Sequence, residues 1–133
     1  MGGRQEALVG FVRGGYTEGA RLVEVGVGRR DGTARRLAEA GFDVTAIDVR
    51  DVETHESIEF THDDVASPDV SVYEGAALVY SVRPPYEIHE DIDRVARSVG
   101  ADTLLAPLAD EGTPLSGFEL VNHEGHAFLV RRS

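Results

Sequence analysis

The sequence predicts an α/β fold: a three-layer sandwich whose sheet is mostly parallel and closes with a C-terminal antiparallel hairpin. Three observations carry this expectation. Short apolar, β-branched runs alternate with helical stretches along most of the chain. The first two runs are joined by a glycine turn and a helix within about thirty residues, the pattern of a parallel crossover unit. The last stretch, "FELVNHEGHAFLVRR" (118–132), alternates on both sides of a Glu-Gly turn and reads as a hairpin. At 133 residues the chain is expected to form a single domain, 1–133.

Residues 4–14 place Leu8, Val9, Phe11 and Val12 at helical spacing, and Gly14 and Gly15 stop the helix. "ARLVEVG" (20–26) follows as a short buried strand. Asp31 is a good N-cap for a helix through Ala40, with Ala34, Leu37 and Ala38 inward and Gly41 as terminator. "FDVTAIDV" (42–49) is the second strand and "SIEFTHDD" (57–64) a short third. "GAALVYSV" (75–82), apolar throughout, predicts a central fourth strand. Pro84 and Pro85 break the chain. The stretch 87–100 then aligns Ile88, Ile92, Val95 and Val99 on one helical stripe, and "ADTLLAPL" (101–108) is a fifth strand.

Composition narrows the chemistry. Asp and Glu number 24 against 13 basic residues, every one of them arginine, for a net charge of −11. Self-repulsion at that charge strains a small domain unless salt screens it. The balance resembles that of halophilic archaeal proteins, although a GC-rich genome alone also favours arginine over lysine. Without lysine there is no Walker phosphate loop and no Schiff base. Without cysteine there is no disulfide, thiolate nucleophile or Cys-ligated zinc. The sign of the net charge argues against a nucleic-acid partner. No apolar run is long enough to span a membrane and no signal peptide is evident, so a cytoplasmic location is expected. Nothing in the sequence sets the oligomeric state.

The motifs gather where such a sheet places its ligand crevice, outside the carboxyl ends of the strands at the topological switch point. In "VEVGVGRRDG" (23–32), Gly26 and Gly28 end the first strand, giving a tight turn and main chain without a Cβ. Asp48 ends the second strand, where a carboxylate can accept from both hydroxyls of a ribose. A glycine turn that merely packs a helix on a sheet is the plainer alternative. The register of strand, Gly-x-Gly, helix, strand and terminal acid weighs against it. Between two adenosine-bearing cofactors, Glu24 decides against the dinucleotide, because an acid inside an apolar strand is costly to bury without a partner.

"EVGVG" (24–28), Asp48, "DDV" (63–65) and the closing hairpin resemble a class I S-adenosylmethionine-dependent methyltransferase, a Rossmann-like fold, over nearly the whole chain. "LVYSVRPPYE" with "DDVASP" more narrowly resembles a small archaeal group described only as an uncharacterised protein family. The resemblance implies that the cofactor is S-adenosylmethionine and that Glu24, Gly26, Gly28, Asp48 and Asp64 bind it. Glu24 would serve the methionine end, Asp48 the ribose and Asp64 the adenine amino group, with Asp63 competing for that last role. The sequence departs from the enzymes at Arg30, where their third glycine sits, and near Ala77, where their fourth strand carries an acid.

"SVRPPYE" (81–87) falls where methyltransferases place substrate. Amino-methylating relatives carry an acid or asparagine before Pro-Pro-Tyr; here the position is Arg83. A guanidinium has donors only, so it cannot accept from an amine, but it clamps a carboxylate or phosphate. The expected substrate is therefore a small anion. A salt link from Arg83 to Glu24 or Glu87 is the plainer alternative. Arg83, Tyr86 and His89 are the candidate catalytic residues, with His62 beside the cofactor end as a further base. Arg29, Arg30, Arg35 and Arg36 form a basic cluster expected to pair with the acidic surface. His123, Glu124 and His126 lack a fourth ligand for zinc, so no metal is expected. The functions weighed are an S-adenosylmethionine-binding methyltransferase-like protein, a non-catalytic nucleoside- or partner-binding module of the same fold, and a small NAD-binding protein.

Overall fold

The computed structural model describes residues 3–107 and 115–133. Leu108, expected at the end of the fifth strand, lies outside them. The elements are α1 (Arg4–Gly15), β1 (Arg21–Val25), α2 (Gly32–Glu39), β2 (Asp43–Asp48), β3 (Glu59–His62), β4 (Ala76–Val82), α3 (His89–Ser98), β5 (Asp102–Ala106), β6 (Glu119–His123) and β7 (His126–Arg131). One seven-stranded sheet runs in the order β3-β2-β1-β4-β5-β7-β6. The first five strands pair in parallel; β7 is antiparallel to β5 and to β6. The α/β fold with a closing hairpin is as the sequence indicates.

Alternation along the strands sends side chains to two faces. Leu22, Val44, Ala46, Leu78, Tyr80, Leu104 and Phe128 pack with Ala7, Leu8 and Val12 of α1 and Ala34 and Leu37 of α2. On the other face Val23, Val25, Ile47, Val79 and Leu105 meet Ile92, Val95 and Ala96 of α3, and Tyr73 closes the layer. Glu24 shares the face of Leu22 and Tyr80, being the register partner of Tyr80 in the β1–β4 pair.

Several expected boundaries shift for identifiable reasons. The third strand ends at His62 because Asp63, after a main-chain bond to the Asp48 carbonyl, turns to accept from the Asp69 N–H and the Tyr73 hydroxyl. The stripe expected over 87–100 starts as a 3-10 turn, Tyr86–Ile88, before α3 proper. Asp31 occupies the N-cap position of α2 but makes no side-chain cap there. Its carboxylate accepts the His55 N–H at 2.8 Å instead. The hairpin turn, Glu124 (φ 50°) and Gly125 (φ 81°), has the left-handed pair that matches the twist of two-residue hairpins.

Candidate functional site

The strand order reverses between β1 and β4, so the crevice opens where these strands deliver their carboxyl ends. A cavity of about 470 Å³ lies there, lined by the turn after β1, the starts of α1 and α2, and the ends of β4 and β5. That volume is in the range of small-molecule sites. Of the residues expected at the site, Glu24, Gly26, Gly28 and Arg83 line it together.

Gly26 (φ 74°) and Gly28 (φ 55°) both take left-handed backbone, where a side chain is strained. The amides of Gly26 and Val27 donate to the Ile47 carbonyl at 2.9 and 3.2 Å, pinning the turn to β2. A Cβ on Gly26 would meet no atom of the described chain within 4 Å, and Gly26 lines the crevice.

Glu24 forms part of the wall and is 2% exposed. Its Oε1 and the Tyr80 hydroxyl are buried without a hydrogen-bond partner of ordinary geometry among the described residues. Burial pushes the Glu24 carboxyl up to about 7, an effect the nearby Tyr80 hydroxyl partly offsets and the charge of Asp31 reinforces. The crevice thus contains one buried acid poised to ionise near neutrality.

Asp48 is buried, and its carboxylate turns toward protein. Oδ2 accepts the Gly28 N–H at 2.8 Å; Oδ1 accepts the Arg50 N–H at 3.0 Å and has the Arg50 Nε at 3.5 Å. It does not line the cavity, although a carboxylate has lone pairs beyond those used here. Asp63 is committed to Asp69 and Tyr73, whereas Asp64 is exposed and accepts only the Ala66 N–H of its own turn. Of that pair, Asp64 has the freer carboxylate, but, like Asp48, neither lines the cavity.

Two of the candidate catalytic residues stand apart from the cavity. Tyr86 is 55% exposed and His89 is buried, its Nε2 at 3.1 Å from the Pro84 carbonyl. The chain leaves β4 through Arg83 in left-handed backbone (φ 55°), and the Pro-Pro segment carries both rings to a separate shallow pocket beside Leu115. His62 is exposed, with Nε2 at 2.6 Å from the Val49 carbonyl. Arg83 makes no ion pair with Glu24, Glu87 or any other described acid. In the expected basic cluster, Arg36 pairs with Glu6 and Glu39, but Arg29, Arg30 and Arg35 pair with no described acid. Among the described residues no three His, Asp or Glu side chains gather as a metal site.

Sequence reasoning missed Arg4, Gln5 and Leu8, which bring α1 to the crevice, and Arg50, which closes over Asp48. Arg4 sits twenty residues before the glycine motif, with no local signal to join the two. It is placed by a bond from Nη2 to the Ala127 carbonyl and by the Phe128 ring beneath it.

Residues 9–133 match the uncharacterised protein family UPF0146. The chain belongs to that family. A UPF0146 protein of Archaeoglobus fulgidus is 43% identical over 113 residues, 84% of this chain and 85% of that protein. One from Halobacterium salinarum is 42% identical over 92 residues, 69% and 71% of the two chains. Solved structures of similar shape include a TehB-like SAM-dependent methyltransferase of Corynebacterium glutamicum (TM-score 0.66, 15% identity, 97% of this chain and 88% of that one). Another is the magnesium protoporphyrin IX methyltransferase of Synechocystis with bound SAM (TM-score 0.61, 17% identity, 97% and 78%). At those identities the likeness establishes the fold: this UPF0146 chain has the architecture of the class I methyltransferases.

Proposed function

We propose that the crevice binds S-adenosylmethionine and that the chain is a methyltransferase-like protein acting on a small anionic molecule. Glu24 carries this reading. Its buried carboxylate has only the Tyr80 hydroxyl near it as a partner among the described residues. It sits in the wall with main chain that lacks a Cβ, and a cationic ammonium arriving there would satisfy it. Arg4, whose Nε is buried and unpartnered among the described residues, suits the carboxylate of the same amino-acid group. Asp48 fixes the glycine turn and offers its remaining lone pairs to the ribose, and Asp64 is available to the adenine amino group. Val49, 58% exposed directly after Asp48, offers an apolar surface on which a base can rest.

When bound, the cofactor supplies an electrophilic methyl carbon on a sulfonium sulfur. The chain's task is then alignment and exclusion of water, and a catalytic triad is not required. Titration calorimetry in molar potassium chloride tests the binding. S-adenosylhomocysteine and S-adenosylmethionine should each bind saturably, and Glu24→Gln should weaken both by more than tenfold. Absence of heat from both ligands with the wild-type protein would end this proposal.

One observation favours a second reading, a non-catalytic nucleoside- or partner-binding module. Tyr86 and His89 lie away from the crevice, so Glu24 is the one described acid–base group lining it. Cofactor binding without transfer of labelled methyl to any component of a cell extract would select this module. Displacement of S-adenosylhomocysteine by NAD at similar concentration would instead point to a dinucleotide site.

A further inference from the structure

We infer that the crevice receives a second ligand beside the nucleoside seat, a small molecule carrying a phosphate group, held by Arg83 among the unpaired arginines that line it. Its position beside a nucleoside rests on the cofactor reading above; the phosphate site itself stands on separate observations.

The first is local charge. The chain has 24 acids to 13 arginines, yet Arg4, Arg29, Arg30, Arg50 and Arg83 line this cavity against the single acid Glu24 among the described residues. All but Arg50 lack an ion-pair partner there, where free carboxylates are abundant elsewhere on the surface. Clustered guanidiniums repel one another, so a chain rich in acids that leaves them unpaired in one crevice has placed a site for an anion.

The second is backbone geometry at Arg83. It adopts φ 55°, a conformation that glycine takes without strain and that costs other residues energy. Its N–H is satisfied by the Ala106 carbonyl at 2.8 Å, which holds the strained turn in place at the mouth of the crevice. An arginine in a glycine-like conformation is consistent with a requirement for its side chain.

The third is the pair of helix starts. Gly3 precedes α1 and has no side chain to cap it; Asp31 precedes α2 and gives its carboxylate to His55. Gln5 of α1 and Thr33 of α2 both line the cavity, so the positive ends of two helix dipoles border it. Several guanidinium forks lining one cavity can each take oxygens of a phosphate, which offers three where a carboxylate offers two.

The net charge of −11 sets the size of the ligand. A nucleic-acid strand, extending beyond the arginines, would meet the repulsion of a chain whose charge has the same sign as its phosphates. A small phosphomonoester is contained by the arginines and meets none of that repulsion.

Titration of ¹⁵N-labelled protein with phenyl phosphate, followed through arginine Nε–Hε signals, tests this with and without saturating S-adenosylhomocysteine. Saturable shifts are expected in both states. Arg83→Gly should weaken phenyl phosphate at least tenfold while raising the melting temperature, which separates lost contact from lost fold. Arg35→Ala, the same charge change outside the cavity, should alter binding less than twofold. No saturable binding, equal loss in the two variants, equal affinity for benzoate or for a ten-nucleotide oligouridylate, or displacement by S-adenosylhomocysteine would each overturn the inference. Phosphate binding in a protein that ignores S-adenosylhomocysteine supports the anion site and removes the cofactor reading. The reverse result removes the anion site alone.

Discussion

Oδ2 of Asp48 accepts the backbone N–H of Gly28 at 2.8 Å, so the acid that ends β2 fixes the glycine turn that follows β1. With Arg50 N–H on its other oxygen, this carboxylate ties two strand ends into one rigid rim of the crevice. Asp48→Ala leaves two amides without their acceptor and should cost about 1–3 kcal/mol. Urea denaturation measures this, and S-adenosylhomocysteine affinity should fall in the same variant. A stable variant with unchanged affinity would show that the acid shapes neither the turn nor the ribose contact.

Gly26 separates ligand space from fold. A Cβ there meets no described atom within 4 Å, Gly26 lines the cavity, and the backbone is left-handed (φ 74°). Gly26→Ala should therefore cost roughly 1 kcal/mol of stability from backbone strain alone. Cofactor binding should fall by a much larger factor than that strain implies. Thermal melts and calorimetry on one sample distinguish the two effects.

Glu24 gives a pH signature. Burial lifts its carboxyl to about 7 in the folded protein from about 4.5, so the folded state keeps a proton that the unfolded chain has released. The associated stability is fully present below about pH 4.5 and is lost as pH rises through 7, a difference of order 3 kcal/mol. Glu24→Gln should flatten the stability profile between pH 5 and 8 and be more stable than wild type at pH 8. An unchanged slope would mean that Glu24 is already ionised and paired.

Away from the crevice, Asp93 of α3 receives hydrogen bonds from Arg131 Nε, Arg97 Nε (2.7 Å) and Thr103 Oγ1 (2.9 Å). Burial pushes the Asp93 carboxyl up, but these donors together outweigh it and hold it below the usual range. Its stabilisation is thus present above the unfolded value near 3.8 and disappears as pH falls through the lower folded one. Asp93→Ala leaves Arg131 buried without its carboxylate and should cost about 3–5 kcal/mol at pH 7. Chemical denaturation of this variant, which lies outside the ligand site, should show the loss.

The sheet was legible because its signals are local. Strand period, glycine stops and the Glu124–Gly125 turn each act over a few residues, and the glycine turn with Glu24 marked the crevice. What escaped is tertiary. The carboxylate of Asp31 goes to His55 across a loop, so a good N-cap residue does not cap α2. Arg4 reaches the crevice because its helix packs on the hairpin through Ala127 and Phe128, more than a hundred residues away in sequence. Tyr86 and His89 follow Arg83 closely, yet one left-handed residue and the Pro-Pro segment turn them out of the site.

Backbone amide mapping during a titration with S-adenosylhomocysteine addresses the central claim most directly. A nucleoside cofactor in the crevice predicts saturable shifts at Gly26, Gly28, Val49 and Asp64, with the far edge at β6 unmoved. Saturation with these four amides unperturbed, or no saturation at millimolar ligand, would contradict it.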